Sequence, residues 1–496
     1  MKKAIIILFA LALGTCSRPP TTLEEVLSSG QLRVITRNSP TTYYQGALGA
    51  DGPEFQLTQG FATYLSEKYG RAIDVSFIPV NQFAELLPAL QRGYAHLGAA
   101  GLTVTDERQQ QVAFGPVYQT VRQELVYRLN TGKPRSLNDL HGKSLQIMAG
   151  SSYVDTLHDI KQIDPELAWV ENTETEISEL LVAVEEQQID YTVVDSNDFA
   201  VHRAYMPDLR VAMTLKEDDQ LAWAFGLYRS KDIQAEVKDY FADIRASGEL
   251  DQILDRYYGH TNRFDYVGTR TFIKHYESRL DPYLELFQTA GENTNTDWRL
   301  LAAIGYQESH WNPDAISPTG VRGLMMLTKV TASTVGVADR EDPDEAIPGG
   351  ARYIAELRAR LSDIPEPDRT WFALAAYNVG YGHVQDARAI TRERGGDPNR
   401  WLDVKEDLPL LAIRKWYSET PHGYARGWEP VQYVSNIRTY YEILNWLTQD
   451  QQPLKNDLEN DLENDQKNNN AKPLVGIQLQ TAASSSLLNW FSTPEA

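Results

Sequence analysis

The pattern of the sequence changes near residue 265, and this change limits the possible folds more than any other feature. Before it, short apolar runs alternate with stretches of helical period, whereas after it helical stretches follow one another between Gly and Pro residues. The first pattern is typical of α/β units with a mainly parallel sheet, and the second of a mostly α-helical domain. A chain of 496 residues is also too long for one core, at roughly 150 residues per compact unit. Two successive domains of different class are therefore expected.

Local signals place the elements of each domain. In the first, residues 21–264, Asn81 is the expected N-cap of a helix and Gly259 ends the last one. Strands are expected at 32–36, 73–80, 144–149, 191–194 and near 222–228, and helices at 60–69, 81–91, 177–187 and 231–258. In the second, residues 265–450, helices are expected at 272–290, 297–311, 323–335, 346–361, 369–379 and 429–448.

Both ends of the chain differ from these two domains. Lys2 and Lys3 precede the apolar run 4–13, which is too short to cross a hydrocarbon core of ~30 Å and fits a signal peptide, expected over residues 1–20. Cys16 follows Leu-Gly-Thr in a segment that resembles the bacterial lipobox, although Thr stands where Gly or Ala is usual, so lipidation and ordinary cleavage both remain open. We expect the mature protein on the periplasmic face of the envelope, attached to the outer membrane peripherally or by lipid. The acidic, Asn-rich segment 451–496 is expected to be a disordered tail.

Charge and composition exclude several classes of protein. The formal net charge is −21, whereas nucleic-acid binders need faces dense in Lys and Arg, so no nucleic-acid partner is expected. Cys16 is the only cysteine, which rules out an intramolecular disulfide. The sequence holds no His-Glu-x-x-His motif and no glycine-rich phosphate loop, and His310 lacks a ligand partner at helical spacing. We expect neither a metal nor a cofactor.

The most informative segment runs from Asp297 to Pro313 and contains Glu308. Asp297 is a good N-cap and Pro313 forbids continuation, so a helix of roughly four turns is expected between them. Leu301, Ile304 and Glu308 fall on one face. A carboxyl group at the end of an apolar stripe is buried, which raises its pKa as a general acid requires. The alternative is a surface Glu at a frayed helix end.

Three further motifs accompany this helix, and together they resemble the lytic transglycosylase domain of the soluble-lytic-transglycosylase type, related to goose-type lysozyme. The matching pieces are Glu308-Ser309, Asn312-Pro313, Ser317, Gly320, Gly323-Leu-Met, Ala376-Tyr377-Asn378 and Tyr433-Val434 near Ile437. The resemblance covers about 270–448. It departs at Met326, where the family usually has Gln.

The resemblance implies a lysozyme-like domain that binds peptidoglycan glycan strands. Glu308 would protonate the glycosidic oxygen and then act as base on the sugar's own 6-hydroxyl, which leaves a 1,6-anhydromuramoyl end. The residues implied in substrate binding are Ser309, Ser317, Met325, Tyr377, Asn378 and Tyr433. Tyr377 and Tyr433 also fit as core aromatics with a satisfied hydroxyl. A hydrolytic lysozyme is the alternative reaction, but glycosidases commonly use two carboxylates and the matched motifs offer only Asp314 besides Glu308.

A second set of motifs lies in the first domain. Its pieces are Gly101-Leu-Thr103, Thr105-Asp-Glu-Arg108, Phe114-Gly-Pro-Val-Tyr118, Gly142-Lys143, Gly150-Ser151-Ser152 and Val194-Asp195. In this order they resemble the periplasmic solute-binding proteins for amino acids over about 30–260, a two-lobed α/β fold. The resemblance implies that Arg108 binds a ligand carboxylate and Asp195 an ammonium group, as their charges suit. It also implies that Gly101, Thr103 and Ser151 complete the carboxylate site and that Tyr43 or Tyr44 covers the ligand.

Two hypotheses for the function of this domain remain. It can sense an amino acid or muropeptide, or it can persist as a scaffold with an altered pocket in which Arg108 and Asp195 are surface charges. For the whole chain, a non-catalytic peptidoglycan-binding sensor is the alternative to an enzyme, and the intact Glu308-Ser309 context argues against it.

Overall fold

The computed structural model describes residues 18–46, 49–203, 206–259, 266–317 and 320–448. The apolar run 4–13, Cys16 and the tail 451–496 lie outside the described residues. In the part of the chain that is described, no helix is both long and apolar enough to cross a membrane.

In the described part of the first domain, ten strands form one large sheet and two small ones. They are β1 (Gln31–Arg37), β2 (Tyr44–Gly46), β3 (Gly49–Asp51), β4 (Asp74–Val80), β5 (Leu97–Gly98), β6 (Val112–Arg128), β7 (Gln146–Met148), β8 (Val170–Asn172), β9 (Tyr191–Asp195) and β10 (Leu209–Gly226). The large sheet has the order β4-β1-β5-β10-β6-β9, while β2 pairs with β3 and β7 with β8. The strands expected at 32–36, 73–80, 144–149 and 191–194 are confirmed.

The expectation of a mainly parallel sheet is wrong. β1 is parallel to β4 and β5, but β10 is antiparallel to both β5 and β6, and β6 is antiparallel to β9. The long β6–β10 ladder carries several register shifts, which interrupt the alternation of apolar and polar residues that marks a strand in a sequence. That irregularity explains why β6 was not expected and why only the end of β10 was.

Among the described residues, nine α-helices accompany these strands. They are α1 (Thr22–Ser29), α2 (Pro53–Tyr69), α3 (Leu86–Gln91), α4 (Asp106–Gln109), α5 (Ser152–Ile163), α6 (Ile177–Glu185), α7 (Ser196–His202), α8 (Lys231–Ala246) and α9 (Glu249–Tyr258). Asn81 does not cap a helix, because the chain first forms a 3-10 turn, Phe83–Glu85, whose N-cap is Gln82. The single helix expected over 231–258 is two helices, since Gly248 adopts φ 75° and reverses the backbone between them.

Among the described residues of this domain, which from here on is called the module, two hydrophobic clusters are distinguished. One surrounds Phe61, Trp223 and Phe241, and the other surrounds Ile147 and Leu181. Each of these side chains is buried. Two separate cores in one sheet-based domain fit the expected two-lobed α/β class.

The second domain is helical, as expected. Its helices are α10 (Tyr266–His275), α11 (Leu284–Thr294), α12 (Trp298–Ser309), α13 (Lys329–Thr334), α14 (Pro343–Arg360), α15 (Asp368–Val379), α16 (Tyr381–Glu393), α17 (Trp401–Asp407), α18 (Arg414–Tyr417) and α19 (Trp428–Thr448). The helix expected over 272–290 is broken by a π turn, Tyr276–Leu280, and the one over 323–335 is only the short α13. α16 and α17 were not expected.

α9 of the module packs against α17 and α19 of the helical domain. Arg438, on α19, is buried and donates to the backbone carbonyls of Asp255 and Arg256 at 2.9 and 2.6 Å. Lys405, on α17, lies 2.7 Å from Oδ1 of Asp255. Charged groups of the helical domain thus neutralise the carboxyl end of α9, where a helix dipole is negative.

Candidate active site

Glu308 lies in the last turn of α12, whose interior is fully packed. Asp297 caps the helix by accepting from the Arg299 N–H at 2.9 Å, as expected. The helix is buried from Arg299 to Tyr306 and becomes partly exposed only at Gln307 and Glu308. The apolar stripe therefore delivers a carboxyl group to the edge of the core.

The chain leaves α12 through an unusual turn. His310 and Trp311 both have positive φ, 53° and 54°, although neither is Gly. Such residues cost on the order of 1–3 kcal/mol each and persist where packing holds them. Trp311 is held in this way, because its ring is buried and its Nε1 donates to the Ala302 carbonyl at 2.8 Å. The helix thus ends right after Ser309 and before Pro313.

Burial raises the pKa of Glu308 from an ordinary 4.5 to about 7, and a hydrogen bond from Tyr433 acts in the opposite direction. Tyr433 donates its hydroxyl to Oε1 of Glu308 at 2.6 Å. No other carboxyl group among the described residues contributes to the shift. Glu308 is therefore divided between its acid and base forms near neutral pH, as a group that gives and retakes a proton needs to be.

α19 lies along α12 and contacts it at several points. Tyr433 reaches Glu308, and one turn further on Asn436 donates from Nδ2 to Oε1 of Gln307 at 3.0 Å. Because Tyr433 and Asn436 are three residues apart, both project from one face of the helix. Tyr441 donates to Oδ2 of Asp297 at 2.8 Å, so α19 also contacts the first turn of α12.

A row of tyrosine rings leads away from the carboxyl group. Tyr377 stacks on Tyr433 with ring centroids 6.5 Å apart, and Tyr353 lies 5.1 Å beyond Tyr377. Tyr377 donates its hydroxyl to the backbone carbonyl of Met325 at 2.9 Å, which fixes the loop before α13. Tyr353, on α14, was not expected at the site.

The other residues expected to bind substrate are placed less directly. Ser309 donates back to the Gly305 carbonyl at 3.0 Å within its own helix. Ser317 accepts from the Val321 N–H at 2.9 Å, which shapes the loop after α12. Met325 is buried, and Asn378 is exposed at the end of α15. Of the expected residues, Tyr433 donates directly to Glu308, and Tyr377 stacks on Tyr433.

In the module, Arg108 and Asp195 are buried, so they are not surface charges. Arg108 donates to the carbonyls of Thr103 and Gly150, both at 2.9 Å. The guanidinium expected to hold a ligand carboxylate is thus bonded to backbone oxygens within the chain.

The other groups expected to bind the ligand are also hydrogen-bonded within the chain. The Gly101 N–H donates to Oε1 of Glu54 at 3.0 Å, and Ser151 donates its hydroxyl to the Met148 carbonyl at 2.6 Å. Tyr44 donates to Oδ2 of Asp51 at 3.4 Å. Each of these groups has to exchange an internal hydrogen bond before it contacts a ligand.

Asp195 stands apart from these paired groups. Its Oδ1 is buried and has no hydrogen-bond partner among the described residues. Burial first, and then the neighbouring carboxyl groups of Asp198 and Asp219, raise the pKa of Asp195 to about 8. A buried carboxyl group whose pKa is raised in spite of a nearby guanidinium, and which has an oxygen without a partner, is suited to receive a further cation.

Sequence reasoning missed a buried ion pair beside Asp195. Nη2 of Arg37 donates to Oδ2 of Asp198 at 2.7 Å, and Thr41 also donates to this carboxylate. Arg37 ends β1 and Asp198 lies in α7, directly after β9. Their positions at the carboxyl ends of two strands could have identified both residues, because polar residues just beyond such ends commonly line a ligand site. In the helical domain, Asn436 and Tyr353 gave no such signal, since helix-face contacts depend on packing between distant segments.

In the part of the chain that the structure describes, no group of three or more His, Cys, Asp or Glu side chains is arranged to hold a metal ion.

Two families match the chain. Residues 32–260 match the bacterial extracellular solute-binding proteins, family 3, and residues 285–399 match the transglycosylase SLT domain. The two-lobed module and the helical site around Glu308 therefore define a class: a lytic transglycosylase fused to a solute-binding module.

Relatives match this chain over most of its length. The chain is 48% identical over 433 residues to membrane-bound lytic murein transglycosylase F 1 of Alkalilimnicola ehrlichii, covering 87% of this chain and 86% of that protein. It is 44% identical over 452 residues to membrane-bound lytic murein transglycosylase F of Saccharophagus degradans, covering 90% and 89%. The chain belongs to the membrane-bound lytic murein transglycosylase F family.

Proposed function

We propose that Glu308 cleaves the β-1,4 bond between N-acetylmuramic acid and N-acetylglucosamine in peptidoglycan without water. One observation carries this proposal: burial raises the pKa of Glu308 to about 7, and among the described residues a tyrosine hydroxyl but no second carboxyl group acts on it. Hydrolytic glycosidases commonly need a second carboxylate to serve as nucleophile or to activate water. A lone carboxyl group with a near-neutral pKa suits both halves of an intramolecular reaction.

Both proton transfers of the reaction can be carried out by Glu308 alone. The Glu308 carboxyl gives its proton to the glycosidic oxygen as the bond from that oxygen to C1 of the muramoyl residue breaks, and N-acetylglucosamine departs with a free 4-hydroxyl. The Glu308 carboxylate then takes the proton of the muramoyl 6-hydroxyl as O6 bonds to C1. The acid is regenerated and a 1,6-anhydro ring remains. Tyr433 orients the carboxyl group, and Tyr377, Ser309, Ser317, Met325 and Asn378 shape the surroundings of the muramoyl residue.

Product analysis tests this reaction. Purified murein is digested with the full-length protein, and the fragments are measured by mass spectrometry. Anhydromuramoyl ends are expected. Reducing ends would instead indicate a hydrolytic lysozyme, and the absence of products would indicate a peptidoglycan-binding sensor.

We also propose that the module, about residues 21–264, binds an amino acid or a short murein peptide through Arg108 and Asp195. The unpartnered Oδ1 of Asp195 supports this, since an ammonium group supplies the missing cation. Gly101, Thr103 and Ser151 complete the site once their internal bonds are exchanged. Calorimetric titration with amino acids and stem peptides is the test: Arg108→Ala is expected to abolish binding, and unchanged binding would refute the role of Arg108.

Finally, we propose that the protein acts at the periplasmic face of the outer membrane, held peripherally or by lipid on Cys16. The N-terminal lysines and apolar run support export. Membrane fractionation of cells that express Cys16→Ala separates the two modes, because a lipid-anchored protein would be released and a peripherally bound one would stay.

A further inference from the structure

One face of α19 carries a line of side chains that the proposed reaction does not use. Trp428, Gln432 and Asn436 follow at intervals of four residues, so they lie nearly above one another along the helix. At 1.5 Å per residue, the line extends for about 12 Å. It starts at the first residue of the helix and ends beside α12.

The amide side chains in this line are joined to each other and to the catalytic helix. Gln432 donates from Nε2 to Oδ1 of Asn436 at 2.6 Å, and Asn436 donates from Nδ2 to Oε1 of Gln307 at 3.0 Å. Gln307 precedes Glu308 directly. Gln432 is exposed, and Asn436 and Gln307 are partly exposed, so each of the three residues has some surface in solvent. The line is therefore continuous with the site of proton transfer.

Trp428 adds an apolar surface at the far end. Its side chain is 50% exposed at the start of α19. A single exposed aromatic residue is ordinary on a protein surface. Here it continues a row of amides that each offer both a donor and an acceptor, and an indole ring is both flat and apolar. Sugar residues with N-acetyl and hydroxyl groups at their edges and C–H groups on their faces match this combination.

We propose that Trp428, Gln432, Asn436 and Gln307 form a subsite for N-acetylated sugar residues of the glycan strand, beyond the bond that Glu308 cleaves. The proposal rests on the proposed role of Glu308, because that role places the strand next to Gln307. The charged groups nearest to Trp428 in sequence are paired with each other, since Arg426 lies 2.7 Å from Glu429. The line thus selects an uncharged part of the polymer by stacking and amide hydrogen bonds.

Kinetics on strands of different length test the subsite. The full-length protein, Trp428→Ala, Trp428→Tyr and Gln432→Ala are compared on purified glycan strands sorted by length. The control is Tyr228→Ala, which removes an aromatic side chain that is 86% exposed in the module. For long strands, Trp428→Ala is expected to raise KM about threefold to tenfold, Gln432→Ala less, and Trp428→Tyr least, while kcat changes little. For the shortest strands that are still cleaved, the differences should disappear because these strands do not reach Trp428.

Two outcomes overturn the subsite. One is a KM on long strands that stays equal to that of Tyr228→Ala for both Trp428→Ala and Gln432→Ala. The other is an equal loss on all lengths together with a lower melting temperature, which assigns a structural role to Trp428. Failure of the catalytic assignment is distinguishable, since it would appear as activity in Glu308→Gln whatever happens at Trp428.

Discussion

The helical domain and the module each bury a carboxyl group with a raised pKa, but they surround it differently. Around Glu308 the influences are burial and one hydrogen bond from the neutral phenol of Tyr433. Around Asp195 there are further carboxyl groups, with Arg37 acting in the opposite direction. The first group is tuned by neutral surroundings and the second by competing charges.

This difference separates two uses of a buried acid. A group that has to give and retake a proton gains from surroundings that carry no fixed charge, because neither protonation state is then locked. A group that waits for a cationic ligand gains from excess negative charge, which the ligand neutralises. Whether the surroundings of Glu308 and of Asp195 differ in this way can be tested, from the largest expected effect to the smallest.

The largest effect is expected for Glu308→Gln, which keeps the shape of the side chain but removes its transferable proton. Activity should fall by about 10⁴-fold or more, because general acid–base groups contribute ~10²–10⁴ and one residue serves both steps here. Release of anhydromuropeptides from purified murein measures the rate. Glu356→Gln, at an exposed position of the same domain, is the matched control and should keep wild-type activity. A folded Glu308→Gln protein that works near the wild-type rate would end the assignment.

The same substitution should change how stability depends on pH. Because the folded pKa of Glu308 is about 7 and the ordinary value is 4.5, the native state holds a proton that the unfolded state has lost between these values. The free energy of unfolding of the wild type therefore falls as pH rises from about 4.5 to 7, by up to about 3 kcal/mol. The stability of Glu308→Gln does not fall in this way, because Gln does not titrate. Its melting temperature should therefore exceed that of the wild type at pH 8 and match it near pH 4. A difference in melting temperature between the two proteins that stays constant from pH 4 to pH 8 would contradict the raised pKa of Glu308.

In the module, Asp198→Asn should cost about 3–5 kcal/mol of stability, because it removes the carboxylate of a buried ion pair and leaves Arg37 undercompensated. Urea unfolding measures the loss. Replacing both partners, as in Arg37→Met with Asp198→Leu, should recover only part of it, because Glu176 then loses the guanidinium that lies 3.7 Å from its carboxylate. Glu429→Gln breaks the exposed pair with Arg426 and serves as control, with a change too small to resolve.

A smaller effect is expected for Tyr433→Phe, which removes the hydroxyl that donates to Glu308. Hydrogen bonds to charged groups contribute about 1.5–3 kcal/mol, so the maximal rate should fall roughly 10–100-fold. That hydrogen bond lowers the pKa of Glu308, so its loss should shift the corresponding limb of the pH–rate profile to higher pH. An unshifted profile with a reduced rate would mean that Tyr433 positions substrate rather than the acid.

The smallest effect concerns protons released by ligand binding to the module. With a pKa of about 8, Asp195 is largely protonated at pH 7, and an ammonium ligand should displace close to one proton. Calorimetry in buffers of different ionisation enthalpy counts it, and affinity should rise with pH up to about 8. Asp195→Asn should bind more weakly and release no proton. Proton-free binding by the wild type would place the ammonium elsewhere.

The sequence predicted best what depends on local pattern. The N-cap at Asp297, the buried face of α12 and the position of Glu308 all follow from capping chemistry and helical period, and the structure agrees with them. The class of each domain followed from the same periodicities. The two family resemblances then agreed with the matching family regions.

What depends on packing between distant segments could not be predicted. The antiparallel β6–β10 ladder is hidden by its register shifts, and the break at Gly248 occurs within a periodic apolar pattern. The Arg37–Asp198 pair joins residues 161 positions apart. The internal hydrogen bonds of Arg108 and Gly101 could not be predicted either, because a sequence motif identifies a functional group but not the group that it bonds to in the fold.

The contact of Arg438 with α9 has a consequence for how such two-domain enzymes can be recombined. Arg438 is buried, and its guanidinium is satisfied by carbonyls and a carboxylate that belong to the module. A chimaera that joins this helical domain to a foreign module would bury that cation without its acceptors, at a cost of several kcal/mol. Transfer of Asp255 and the end of α9 together with Arg438 and Lys405 should avoid this cost, because the acceptors then stay with the cations.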